Sequence, residues 1–100
     1  MRSQETRQSF KKAYESYDMY GDRIISYINQ DPIRIWLSYK DIVHFSQQDI
    51  EGLKYDLIGI CRDRRPEKGD LIDDKLIVYK LEVNRWCYYF LQELKGDDDE

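Results

Sequence analysis

Apolar residues recur at spacings of three and four along most of the chain, which places them on one stripe of an α-helix. Phe10, Ala13, Tyr14, Tyr17, Ile24, Ile25 and Ile28 make the first stripe and predict a helix over residues 3–29. Gly21 falls on the same stripe; it either lets a partner helix approach or ends one helix, with Asp22 capping the next. Asp31-Pro32 reads as an N-cap followed by proline at the first helical position, and so predicts a second helix over 32–45. Ser46-Gln47-Gln48-Asp49 resembles a capping box ahead of Ile50, Leu53, Leu57, Ile60 and Cys61, which predicts a third over 47–64. Gly69-Asp70 opens the last, over 71–95. Its stripe of Ile72, Leu76, Tyr79, Val83, Trp86, Phe90 and Leu94 is the longest uninterrupted periodic signal.

These elements predict an all-α fold, a small antiparallel four-helix bundle with short connections. A competing pattern exists. Ile33, Ile35, Leu37 and Tyr39 alternate with Arg34, Trp36, Ser38 and Lys40, and residues 75–83 are rich in β-branched and aromatic side chains. The α+β alternative keeps the long N-terminal helix and a short helix near 47–54. It makes a small antiparallel sheet from 33–39, 55–61 and 75–83, with Asn84-Arg85 able to turn the last strand into a hairpin with 86–91. Five glycines and two prolines leave few turns, which favours helices over a sandwich.

Composition bounds the function classes. One hundred residues make one domain, expected over 1–96, followed by a solvated acidic tail at 97–100. The 14% aromatic content excludes a disordered chain, and no apolar run reaches the ~18 residues of a membrane helix. The N-terminal residues lack a hydrophobic signal stretch, so a cytoplasmic location is expected. The net charge of −4 argues against a general nucleic-acid binder. Cys61 and Cys87 lack metal-ligand spacing and read as buried, reduced thiols.

Catalytic chemistry finds little to stand on. Phosphate loops, HExxH, GxSxG and EF-hand patterns are missing from the sequence. His44, with Asp41 and Ser46 near it, reads as a structural histidine. The carboxylate pairs Asp73-Asp74 and Glu82 with Glu93 read as caps or a solvated face. The expectation is a non-enzymatic protein without cofactor or metal.

Three features remain that could meet a partner. Arg62, Arg64, Arg65 and Lys68 form a basic loop able to hold an anion or an acidic partner, although no aromatic interleaves with them in sequence. Residues 35–45 and 47–61 could form a helix-turn-helix, but the recognition helix would begin with a net negative end. The tyrosines are the richest feature. Tyr20, Tyr27, Tyr88 and Tyr89, with Glu82 and Glu93, are expected to form an exposed aromatic-acidic patch for a protein with a basic surface. The expected function is binding and inhibition of another macromolecule, in the manner of immunity proteins, antitoxins and phage-encoded inhibitors. A homo-oligomeric structural or assembly subunit, such as a homodimer, and a DNA-binding regulator are the alternatives.

Overall fold

Between Ile24 and Ile35 the chain carries five isoleucines, whose branched side chains fit a pleated strand better than a helix. The computed structural model describes residues 5–39 and 52–94, and among them it has strands and no helix. The strands are β1 (Glu5–Tyr17), β2 (Arg23–Tyr39), β3 (Leu57–Cys61), β4 (Leu71–Ile72), β5 (Lys75–Val83) and β6 (Trp86–Glu93). They close into an antiparallel barrel in the order β1-β2-β3-β6-β5-β4. The return of β4 beside β1 is a Greek-key connection. That closure is short: Phe10 pairs with Ile72 and Lys11 with Leu71, reinforced by the Asp73 N–H donating to the Ser9 carbonyl at 2.8 Å.

The barrel interior holds Phe10, Ile33, Ile35, Leu57, Cys61, Ile72, Ile77, Cys87, Tyr89 and Leu91, with Leu37 packed against them. Gly59 faces this core. A Cβ there would meet the Ile35 Cδ1 methyl, with Leu91 Cδ1 at 3.4 Å. A second apolar layer lies outside the sheet. Ile58 and Phe90 are cross-strand partners, both fully buried, and the rings of Tyr55 and Tyr79 stand 5.0 and 5.6 Å from Phe90.

Turn chemistry sets the register. Val83 pairs with Trp86 across Asn84-Arg85, and Asn84 supplies the left-handed φ of 58° that such a turn needs. Ile72 pairs with Lys75 in the same way, with Asp73 at φ 58° and Lys75 ion-paired to Asp73 and Asp74. Pro32 lies in mid-strand, where its missing N–H should break a ladder. The β1–β2 register slips there, from Gln8↔Ile33 to Phe10↔Gln30, so neither Asp31 nor Pro32 has a pairing partner.

The four-helix bundle, and with it the long N-terminal helix of the α+β alternative, is therefore corrected to an all-β barrel. Residues 3–29 contain β1 and the start of β2, 32–39 complete β2, and 71–95 contain β4, β5 and β6. The helix-turn-helix reading falls with them, since 35–39 and 57–61 are strands. The short helix near 47–54 lies mostly outside the described residues, as do His44 and the tail at 97–100. Strands at 33–39 and 75–83 do match β2 and β5, and the Asn84-Arg85 hairpin is present. The helical spacing over 72–94 has a physical origin. Apolar side chains pack on both faces of β5 and β6, which hides the alternation. The irregularity between Ile77 and Tyr79 then shifts its phase. No helix among the described residues is long and apolar enough to cross a membrane.

Candidate functional site

One end of the barrel is closed by residues 62–70, and this closure positions everything outside it. Asp70 is 2% exposed. Its carboxylate accepts from the Ala13 N–H (2.9 Å), the Glu67 N–H (2.9 Å) and the Lys12 ammonium (3.0 Å), tying the segment to β1. The Arg65 guanidinium donates to both Asp63 carboxylate oxygens and to the Asp31 and Pro32 carbonyls freed by the register slip, at 3.2 and 3.3 Å. It also lies over the Phe10 ring. The hydrogen bonds from Arg65 hold the Asp63 carboxyl below its ordinary value. Lys80 donates to the Arg64 carbonyl and to Glu67 beneath the Tyr89 ring. The Tyr89 hydroxyl donates to the Asp63 carbonyl at 2.5 Å, and burial drives its pKa upward. Burial also pushes the Cys61 thiol up to about 11, so it stays protonated at neutral pH. Cys61 faces Cys87 across β3 and β6, and both are free thiols.

The first candidate surface is a ribbon. Beyond Lys12 and before Asp31, β1 and β2 pair only with each other, from Ala13↔Tyr27 to Tyr17↔Arg23. At ~3.3 Å per residue these five pairs project about 17 Å. The molecule measures 48 × 30 × 30 Å, longer along one axis by about that amount. The tip is built by Asp18, whose carboxylate accepts from the Tyr20 and Asp22 N–H groups at 2.8 and 2.9 Å, and by Gly21 at φ 84°. Eight of the ten exposed large hydrophobic residues among those described lie here: Tyr14, Tyr17, Met19, Tyr20, Ile24, Ile25, Tyr27 and Ile28. Met19 is 87% exposed and Tyr20 83%. Opposed residues share a face, so Tyr14, Ile24 and Ile28 line one side and Tyr17, Ile25 and Tyr27 the other. On the latter side Glu15 accepts from the Tyr17 hydroxyl at 2.8 Å and lies 3.7 Å from Arg23.

The second candidate is a groove on the barrel's outer wall. Trp36, Ile60, Tyr88 and Leu81 are successive cross-strand partners on β2, β3, β6 and β5. Trp86 lies two residues before Tyr88, on the same face. The Trp36 and Trp86 rings meet at 5.4 Å, tilted by 52°, and the Arg62 guanidinium lies 4.8 Å over Trp86. Trp36, Trp86 and Arg62 line an open depression of about 470 Å³ with Pro32, Arg34 and the carboxylates Glu5 and Asp63. A neighbouring depression of about 550 Å³ shares Arg34 and Pro32 and continues to Arg7 and Asp31.

The residues singled out from sequence are therefore scattered. Tyr20 and Tyr27 are exposed on the ribbon, and Tyr88 is half-buried on the outer wall. Tyr89 is fully buried in the core, which corrects its assignment to an exposed patch: the helical angles that put it beside Glu82 do not exist in a strand. Glu82 is paired with Arg64 and Lys80. Glu93 is exposed at the end of β6, its N–H bound by Asp56. Within the basic loop Arg65 is engaged by Asp63 and backbone carbonyls and Arg64 by Glu82 and the Asn84 carbonyl, whereas Arg62 lies over Trp86 and Lys68 is exposed. Trp86, which the helical stripe of 72–94 groups with Phe90 as a core-facing residue, is half-buried on the outside, where it does interleave with Arg62. Sequence reasoning passed over Trp36 as a surface residue, and Tyr14, Tyr17, Ile24, Ile25 and Ile28 as exposed ones. Asp18-Met19-Tyr20-Gly21-Asp22 between two β-rich stretches was the available sign of a hairpin. Among the described residues no group of three His, Cys, Asp or Glu is placed to hold a metal ion. Comparison of the chain with protein-family models, with curated proteins and with solved structures finds no match.

Proposed function

We propose that this protein is a binding module whose β1–β2 ribbon docks on another protein. The observation that carries the reading is the concentration of large apolar side chains on a two-stranded ribbon that no other strand among the described residues covers. Monomers rarely keep contiguous apolar patches of this kind without an interaction to serve, and an isolated two-stranded ribbon is marginally stable by itself. The occupant is a protein groove with a basic rim. Glu15, Asp18 and Asp22 outnumber Arg23 along the outer ribbon, so the contact pairs an apolar centre with an acidic edge. A ribbon seated in a partner's groove blocks what else that groove binds, which is how the module would inhibit. A photo-crosslinking residue at Tyr20 or Tyr27, with the same group at Glu93 as control, tests this in the producing cell. The expected result is one heterologous protein captured only from the ribbon positions. That protein, purified, should lose binding at least 30-fold to a Tyr17→Ser, Ile24→Ser variant by calorimetry, the hot-spot scale of about 2 kcal/mol. Capture of a second copy only, or equal capture from Glu93, contradicts the proposal.

A further inference from the structure

Seven arginines lie among the described residues, and their pairing is uneven. Arg23, Arg34, Arg64 and Arg65 each stand 2.7–3.7 Å from a carboxylate. Arg7, Arg62 and Arg85 have no carboxylate partner among the described residues. Arg7 and Arg62 line the outer-wall groove. Arg7 is the cross-strand partner of Arg34, and like charges placed opposite one another cost stability unless something anionic sits between them. Arg62 covers Trp86, and Arg85 precedes Trp86 in the β5–β6 turn. Two tilted indoles lining one depression with Arg34 and Arg62 offer what a single-strand site requires: π-faces for bases and fixed cations for the backbone. The acidity of the whole chain does not oppose this, because four of its twenty acidic residues are the terminal 97–100 and the carboxylates Glu5, Asp63 and Glu82 are already paired with arginines.

We propose that the groove running from Trp86 past Trp36 to Arg7 binds single-stranded nucleic acid, with bases stacked on the two indoles and phosphates on Arg7, Arg34 and Arg62. Its residues are not those of the ribbon, so this site and the protein-docking site stand or fall separately. The groove is open and its lining offers no shaped base-edge reader, so binding is sequence-tolerant. The ribose hydroxyl has no dedicated partner, so RNA and DNA bind alike.

The test uses the full chain and fluorescein-labelled dT12 and U12, read by anisotropy and by quenching of tryptophan emission. Both oligonucleotides should bind, more tightly than a 12-base-pair duplex, with a log–log salt slope near −2 for about three phosphates. Trp86→Ala should weaken binding about 10-fold or more. Arg62→Gln, on an exposed residue that leaves the barrel intact, should weaken it and reduce the slope by about 0.7. Arg7→Glu should do the same at the other end, whereas Tyr20→Ala on the ribbon should change nothing. Absence of binding at 100 µM strand overturns the proposal. So does duplex binding as tight as single-strand binding, or affinity indifferent to both Trp86→Ala and Arg62→Gln. A proline-rich decapeptide that quenches the tryptophans where dT12 does not would assign the groove to a polypeptide instead.

Discussion

β1 and β2 behave as two different structures along their length. From Thr6 to Phe10 and from Ile33 to Leu37 they are barrel staves, and alternate residues of β2 are sealed inside: Ile33 and Ile35 are at most 1% exposed. From residue 13 to residue 30 the same pair of strands has no buried side chain at all. Isoleucine is used in both halves. In the barrel it fills a closed volume, and in the ribbon both faces of the strand are open. The division falls at the register slip beside Pro32, with Arg65 and Asp70 fastening the ribbon's root to the 62–70 segment. Strand pairing alone therefore says nothing about whether a residue stabilises the fold. What the sheet is packed against decides it.

The largest separation between the two regions should come from Asp70. Asp70→Ala removes an almost fully buried carboxylate and strands the Ala13 and Glu67 N–H groups, so it should cost on the order of 3–5 kcal/mol in urea unfolding. Gly59→Val comes next. The added side chain must displace Ile35 in a packed interior, at about 1–3 kcal/mol or more, whereas Gly21→Asn at the ribbon tip, where an added Cβ meets nothing and Asn tolerates the positive φ, should leave the melting temperature within a degree or two. Tyr89→Phe deletes one buried hydrogen bond and should cost about 0.5–1.5 kcal/mol; a full unfolding on that change would mean the hydroxyl organises the whole closure. The smallest effect is in pH. Asp63 is held below its ordinary value near 3.8 by Arg65. Its depressed folded pKa contributes stability that is complete above the unfolded value and is lost as pH falls through the folded one. Wild type should therefore lose stability more steeply than Asp63→Asn on acidification below about pH 4, while the two run parallel above pH 6.

The sequence was legible where one face of a strand is buried and the other is wet. Ile33, Ile35 and Leu37 alternate with Arg34, Trp36 and Ser38, and the strand there could be read directly. Asn84-Arg85 was legible as a turn for the same local reason. The ribbon was not, because an element open on both faces carries no alternation, and Phe10, Ala13, Tyr14 and Tyr17 then fall by accident on a helical stripe. Nor were β5 and β6, whose outer faces carry Tyr79, Trp86 and Phe90 as well as the inner Ile77 and Tyr89. Caps misled in a consistent way. Asp31-Pro32, Gly69-Asp70 and Asp73-Asp74 have helix-start chemistry, but Asp73 serves a two-residue turn and Asp70 is a buried acceptor. Of the candidate surfaces, the tyrosines of the ribbon were visible as excess aromatics. The Trp36–Trp86 contact joins residues fifty apart and only the β2-β3-β6 order brings them together.

The division of the two long strands into a load-carrying half and a free half is tested most directly by one residue type in one strand. Ile35→Ala and Ile28→Ala remove the same atoms from β2, one inside the barrel and one on the ribbon at 50% exposure. Equilibrium urea unfolding of the two variants should show a loss of about 2–5 kcal/mol for Ile35→Ala and less than about 0.5 kcal/mol for Ile28→Ala. Comparable losses at both sites would mean that the ribbon is packed within the folded monomer and is not free to dock.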